Sequence, residues 1–122
     1  MNALLHSYRT AVAFTPERFH PVPVAQSERT RVLLVCLEPG QFIPVHSPGV
    51  DLTVVVLEGT GMLVAGEREE AISPGAVAFA PAGAARGLQA ATRLVVLNVV
   101  TPPPTEADHA EVTAGLRRGR WR

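Results

Sequence analysis

The sequence has one cysteine, Cys36, and no lysine: all eleven of its basic residues are arginines. A single thiol excludes an internal disulfide framework and a multi-cysteine zinc or iron–sulfur centre, and it agrees with a reducing compartment. Arginine in place of every lysine fits a GC-rich genome or a heat-adapted one and decides nothing about function. Excess charge is missing too, because eleven acids balance the eleven arginines and the isoelectric point is about 6.9. No bulk field therefore draws in nucleic acid or an anionic membrane, and neither is expected as a partner. No apolar run approaches the roughly 20 residues of a membrane span. The stretch from Met1 to Phe14 carries His6, Ser7 and Arg9 where a secretory segment would be apolar, so the expected address is the cytoplasm. There is no phosphate-cradling loop, dinucleotide fingerprint or serine-triad spacing.

What the sequence does have is one domain's worth of core: 122 residues, 47% hydrophobic, with no break in composition that would mark a second unit. Apolar runs of strand length alternate with Gly and Pro punctuation, and helical periodicity is almost absent before residue 105. Strands are predicted near Arg31 to Glu38, Gln41 to Val45, Leu52 to Glu58, Met62 to Ala65, Val77 to Ala80, Arg86 to Ala90 and Leu94 to Val100. Turns fall at Pro39-Gly40, Ser47-Pro48-Gly49, Glu58-Gly59, Gly66, Ser73-Pro74-Gly75 and Pro81-Ala82-Gly83. Short strands so evenly spaced predict an all-β barrel or sandwich, its core spanning about residues 28–101. Beyond Pro102-Pro103-Pro104 a short C-terminal helix is expected, with Thr105 as cap, Glu106 and Asp108 at its positive end and Gly115 closing it. The Arg-rich tail from Arg117 to Arg122, with Trp121, reads as a solvated or subunit-contacting end.

Val32 to Leu37, Leu52 to Leu57 and Leu94 to Val100 are apolar on both faces, where a solvated antiparallel sheet would alternate. The terminal segments could cover part of the outer face. A second subunit is the more economical cover, so a homodimer is expected.

The frame of two segments carries further meaning. Gly40, His46, Pro48, Leu52 and Gly59 stand at the spacing of a first motif, and Gly75, Pro81, Gly83, Arg86 and Ala90 at that of a second, both gap-free. Together they resemble the paired motifs of the cupin superfamily, in its small single-domain, conserved-barrel form. The resemblance spans Gly40 to Arg86 and implies an antiparallel jelly-roll barrel with a short C-terminal helix, residues 1–122 forming one cupin domain. In the family the motifs place three histidines and a glutamate around a metal ion; here the four positions hold His46, Pro48, Leu52 and Arg86.

A catalytic transition-metal site needs about three imidazole, carboxylate or thiolate donors. His46 supplies one, Pro48 and Leu52 supply none, and the guanidinium of Arg86 would repel a divalent ion about 6 Å away by about 5 kcal/mol at an effective dielectric near 20. Asp51 should point away from His46 by strand alternation. His6, His20 or His109 would have to fold over the barrel mouth to complete a donor set. The motifs thus imply a degenerate site with no metal and no cofactor.

The substitutions predict instead a pocket with an apolar wall of Leu52, Val54 and Val56 and a cationic rim. Arg86 would offer a bidentate fork to a carboxylate or phosphate, His46 would be a second donor or acceptor, and Asn98 would add a directional hydrogen bond. Duller readings stand beside these: Arg86 paired with Asp51, Glu58 or solvent, His46 as a hydrogen-bonded relic, Asn98 bonded to backbone, and Cys36 as an inert core thiol. The leading functional expectation is a metal-free cupin holding a small apolar or anionic molecule. The alternatives are a cupin enzyme of oxygenase or isomerase type with an unconventional metal site, a metal-free acid–base catalyst using His46, and a structural or interaction barrel filled by its own side chains.

Overall fold

Strand alternation and turn chemistry produce two antiparallel sheets facing each other across one apolar interior in the computed structural model, which describes residues 3–122. In chain order the strands are β1 (His20–Gln26), β2 (Arg31–Leu37), β3 (Phe42–His46), β4 (Asp51–Glu58), β5 (Gly61–Ala65), β6 (Arg68–Ile72), β7 (Val77–Ala80), β8 (Arg86–Ala90) and β9 (Leu94–Thr101). One sheet has the order β1-β2-β9-β4-β7 and the other β3-β8-β5-β6. This is the expected all-β jelly roll, followed by one helix, α1 (Glu106–Arg118). No helix among the described residues is long and apolar enough to cross a membrane.

Register arranges the inward side chains in layers. Arg31, Val100 and Leu52 stand side by side at the mouth, Leu33, Asn98 and Val54 one step down, and Val35, Val96 and Val56 beneath them. The facing sheet sets His46, Arg86 and Ala65 in its mouth row and Ile43, Leu88 and Leu63 in the next. The lower layers form a packed core that includes Phe19, Leu37, Val56, Leu94 and Val96, with Leu37, Leu94 and Val96 having no solvent exposure. This packing opens at the mouth and again between the edge strands β6 and β7, where a second cavity of about 330 Å³ reaches Val56, Leu63 and Ile72.

Two strands escaped the sequence reading, and both are sheet edges. β1 carries Pro21 and Pro23, which cannot donate to a ladder and so are tolerated on an edge, with a bulge between Pro23 and Ala25. β6 is mostly polar and exposed, so no inward alternation announced it. The barrel therefore begins at His20, earlier than expected.

Thr105 caps α1 in a capping box with Asp108, as expected, but the helix runs through Gly115 and ends at Gly119, in the left-handed region at φ 76°. Gly115 has a packing role: a Cβ there would lie 2.3 Å from Cβ of Pro44 in β3, so its absence lets the helix seat on the sheet. Val112 and Leu116 reach the core from the same side. The tail then folds back, with the Trp121 carbonyl accepting from Val45 N–H at 2.7 Å and Arg122 pairing with Glu69. It is tied to its own sheet.

The outer apolar face of β2 and β9 is not bare. Tyr8, Ala11, Val12 and Phe14 lie over Leu34, Cys36 and Val95, which are at most 1% exposed. A turn of 3-10 helix (Tyr8–Thr10) and a 2.7 Å hydrogen bond from the Tyr8 hydroxyl to Glu58 hold this segment down. This corrects the premise of the dimer argument: the chain itself supplies the cover there. Val77 and Phe79, on the edge strand β7, remain 70% and 57% exposed.

Candidate functional site

The open end of the barrel encloses a cavity of about 360 Å³, walled by both sheets and roofed on one side by the first turns of α1. Its wall is mainly Leu33, Ile43, Val50, Leu52, Val54 and Leu88, and its polar groups come from Arg18, Arg31, His46, Arg86, Asn98, Asp108 and His109. The structure thus brings five of the six expected site residues, His46, Arg86, Leu52, Val54 and Asn98, to one cavity. Val56 points inward but one layer too deep: 2% exposed and beside Val96, it belongs to the packed core and does not reach the cavity.

Arg86 corrects the expectation of a free fork. It is 4% exposed, with its guanidinium bound to main-chain carbonyls: Nη1 donates to Val50 O at 2.8 Å, Nη2 to Pro81 O at 2.9 Å and Ala84 O at 3.1 Å, and Nε to Ala84 O at 3.2 Å. Of five N–H hydrogens one is left over. Nor does Arg86 form an ion pair with Asp51 or Glu58. Asp51 turns out of the cavity, as alternation requires, and accepts from Ala82 N–H at 2.8 Å. Arg86 and Asp51 therefore stitch together the loops of the two motifs, assisted by Gly83 N–H donating to Pro48 O at 2.9 Å. Burial lowers the Arg86 pKa, the nearby Asp51 and Asp108 charges opposing it, yet an arginine stays protonated.

His46 lies opposite Arg86 across β3 and β8. Its Nδ1 is 2.8 Å from Pro44 O, an atom that only accepts, so Nδ1 carries the proton and Nε2 of the neutral ring has the lone pair. Desolvation holds the pKa of His46 below its ordinary value; the Pro44 carbonyl and the charges of Glu111 and Asp108 oppose this, and Arg86 adds to it. His46 is thus a neutral imidazole near pH 7.

Asn98 is 8% exposed in the layer below the mouth, and its Oδ1 is buried with no partner among the described residues, backbone or otherwise. The sequence reading missed Arg31. It lines the cavity beside Val100, its Nε is buried without a partner, and no carboxylate pairs with it among the described residues. Parity with Leu33 and Val35 on β2 was the signal that would have placed it inward.

Of the remaining histidines, His109 reaches the cavity from α1, while His6 and His20 bond to main-chain carbonyls elsewhere, at Ser7 and Ala13. The donors present do not fit a metal ion: at the four motif positions they amount to one imidazole, and no three His, Cys, Asp or Glu side chains converge anywhere among the described residues. Cys36 lies on the far side of the sheet, unexposed, with desolvation raising its thiol pKa, so it takes no part.

Two antiparallel sheets closing around one apolar interior, with a cavity at one mouth, define a jelly-roll barrel. The chain belongs to the cupin family, whose Cupin domain model matches residues 33–100. The structure of TT1209 from Thermus thermophilus is 37% identical, with 82% of this chain and 98% of that one covered and a TM-score of 0.78. An RmlC-like cupin protein from Desulfovibrio desulfuricans is 34% identical over 84% of this chain and 99% of its own, at a TM-score of 0.75. KdgF from Halomonas sp., 18% identical over 79% of this chain and 90% of its own with a TM-score of 0.69, shares the fold. No curated protein sequence matches the chain.

Proposed function

We propose that this cupin works without a metal, as a binding barrel for a small molecule held in the mouth cavity. The observation that carries this reading is the state of Arg86. A permanent cation, bonded to three main-chain carbonyls, stands where the family places a metal ligand. Retaining a divalent ion next to it would require donors that Pro48 and Leu52 lack. The cavity disfavours a structural barrel filled by its own side chains, because about 360 Å³ is open at the mouth. That volume lies at the small end of ligand sites. Catalysis by His46 alone is the weaker reading: its neutral Nε2 is a competent base, but no acid of complementary role bonds to it.

Metal analysis of protein purified without added salts tests the proposal. Less than a tenth of an equivalent of Fe, Mn, Ni and Zn supports it, and near-stoichiometric metal overturns it. A homodimer, too, is a proposal. With β2 and β9 already covered, it rests on Val77 and Phe79 of the edge strand β7, which could meet their symmetry mates across a two-fold axis. A monomeric mass by light scattering at micromolar concentration would dispose of it.

A further inference from the structure

Two buried side-chain polar atoms lack a partner among the described residues, Arg31 Nε and Asn98 Oδ1, and both residues line the same cavity. Buried polar groups are nearly always satisfied, so an orphaned pair at one site calls for an explanation. They are close neighbours: Arg31 pairs with Val100, and Asn98 is two residues before Val100 on the same strand, β9. The mouth row and the Asn98 row are therefore about 7 Å apart along the strands. Between and around them the wall is hydrocarbon, from Leu33, Leu52, Val54 and Leu88.

The charges lining the cavity are unbalanced. Arg18, Arg31 and Arg86 face one carboxylate, Asp108, whose Oδ2 already accepts from Thr105 N at 2.9 Å and Thr105 Oγ1 at 3.1 Å. Arg86 has committed four of its five N–H hydrogens to carbonyls, and Arg18 stacks on Phe19 with its guanidinium carbon 4.4 Å from the ring centroid. Neither Arg18 nor Arg31 has an acceptor of its own among the described residues, but Arg18 is exposed to water, whereas Nε of Arg31 is buried. A planar guanidinium in that state suits a carboxylate. The Asn98 amide, one layer deeper, presents a donor or, after a half-turn, the orphaned acceptor, and a hydroxyl satisfies either.

Resting on the binding reading above, we infer that the ligand is a small hydroxylated carboxylic acid, its carboxylate on Arg31 at the mouth, its apolar body against Leu52 and Val54, and its hydroxyl on Asn98.

Calorimetric titration of the full chain tests this with two probe sets: para-hydroxybenzoate, benzoate and phenol; and omega-hydroxyhexanoate, hexanoate and hexanol. In at least one set the hydroxy acid should bind tenfold or more tightly than either relative that lacks one polar group, since a site built for a hydrogen bond rejects a ligand without it. Asn98→Leu should remove the preference for the hydroxy acid over the plain acid while leaving the plain acid's affinity within threefold. Arg31→Met should remove the preference for the hydroxy acid over the alcohol. Equal binding of acid and alcohol overturns the inference but leaves a small-molecule barrel standing. So does discrimination that survives in Arg31→Met and Asn98→Leu variants whose thermal unfolding is unchanged. No binding by any probe, together with no small molecule co-purifying in native mass spectrometry, overturns both.

Discussion

Arg86 converts a position of coordination into one of structure, and its removal should be expensive. Arg86→Met keeps the stem but leaves Val50, Pro81 and Ala84 carbonyls without their donors beside a buried wall. A loss of about 3 kcal/mol in unfolding free energy is expected by chemical denaturation; a change below about 0.5 kcal/mol would show the clamp to be idle. His46 gives the pH dependence. Because burial holds its folded pKa below the unfolded value of 6.5, the unfolded chain binds more protons through this range. The contribution to stability is complete above the unfolded pKa and is lost as pH falls through the folded one. Unfolding free energies measured from about pH 7.5 down to pH 5 should therefore decline more steeply in the parent than in His46→Asn, whose amide can still donate to Pro44 O. These two residues also mark how far the sequence could be read. The motif frame located both at the mouth, and residue identity told which motif positions carry no donor. It did not tell where the Arg86 hydrogens would go, because main-chain carbonyls leave no trace in residue identity.

At the scale of elements, the strands with apolar runs were legible, the edges β3 and β7 among them, and the edges β1 and β6 were not. β1 and β6 each lie at the end of a sheet, where one side of the ladder is free and neither proline nor charge is selected against. The helix end was misplaced for a related reason: Gly115 looks like a stop until Pro44 is seen against it. Gly115→Ala tests this reading. Helix propensity alone would stabilise such a change by about 1 kcal/mol, but the new Cβ must occupy space 2.3 Å from Pro44 Cβ and 2.6 Å from its Cγ. Net destabilisation is expected, together with faster amide exchange in α1 than in the strands. Gly87→Ala in β8 should behave alike, since its Cβ would meet Val45 Cγ2 at 2.5 Å and Val45 Cα at 2.9 Å.

For the whole molecule, the N-terminal segment acts as part of the barrel although it contributes no strand before His20. Cys36 reports on it, being unexposed beneath Tyr8, Val12 and Phe14 with a thiol pKa raised by burial. The intact protein should react with a thiol reagent at least a hundredfold more slowly than the unfolded chain, in proportion to the rarity of opening. Deleting residues 1–14 should make Cys36 reactive at once and turn an apolar face toward solvent, seen as aggregation or a new oligomer. An unreactive thiol in a monomeric truncated protein would show the cover to be dispensable. That two-sided apolar strands need covering was readable from Val32 to Leu37; which part of the chain supplies it was not, since no periodicity marks residues 8–14.

On the metal-free reading proposed above, the guanidinium clasping Val50, Pro81 and Ala84 also changes what this barrel requires of its surroundings. Its positive centre is made with the polypeptide and stays for the life of the molecule. Chelators cannot strip it, scarcity of trace elements cannot leave it unfilled, and no wrong element can take its seat.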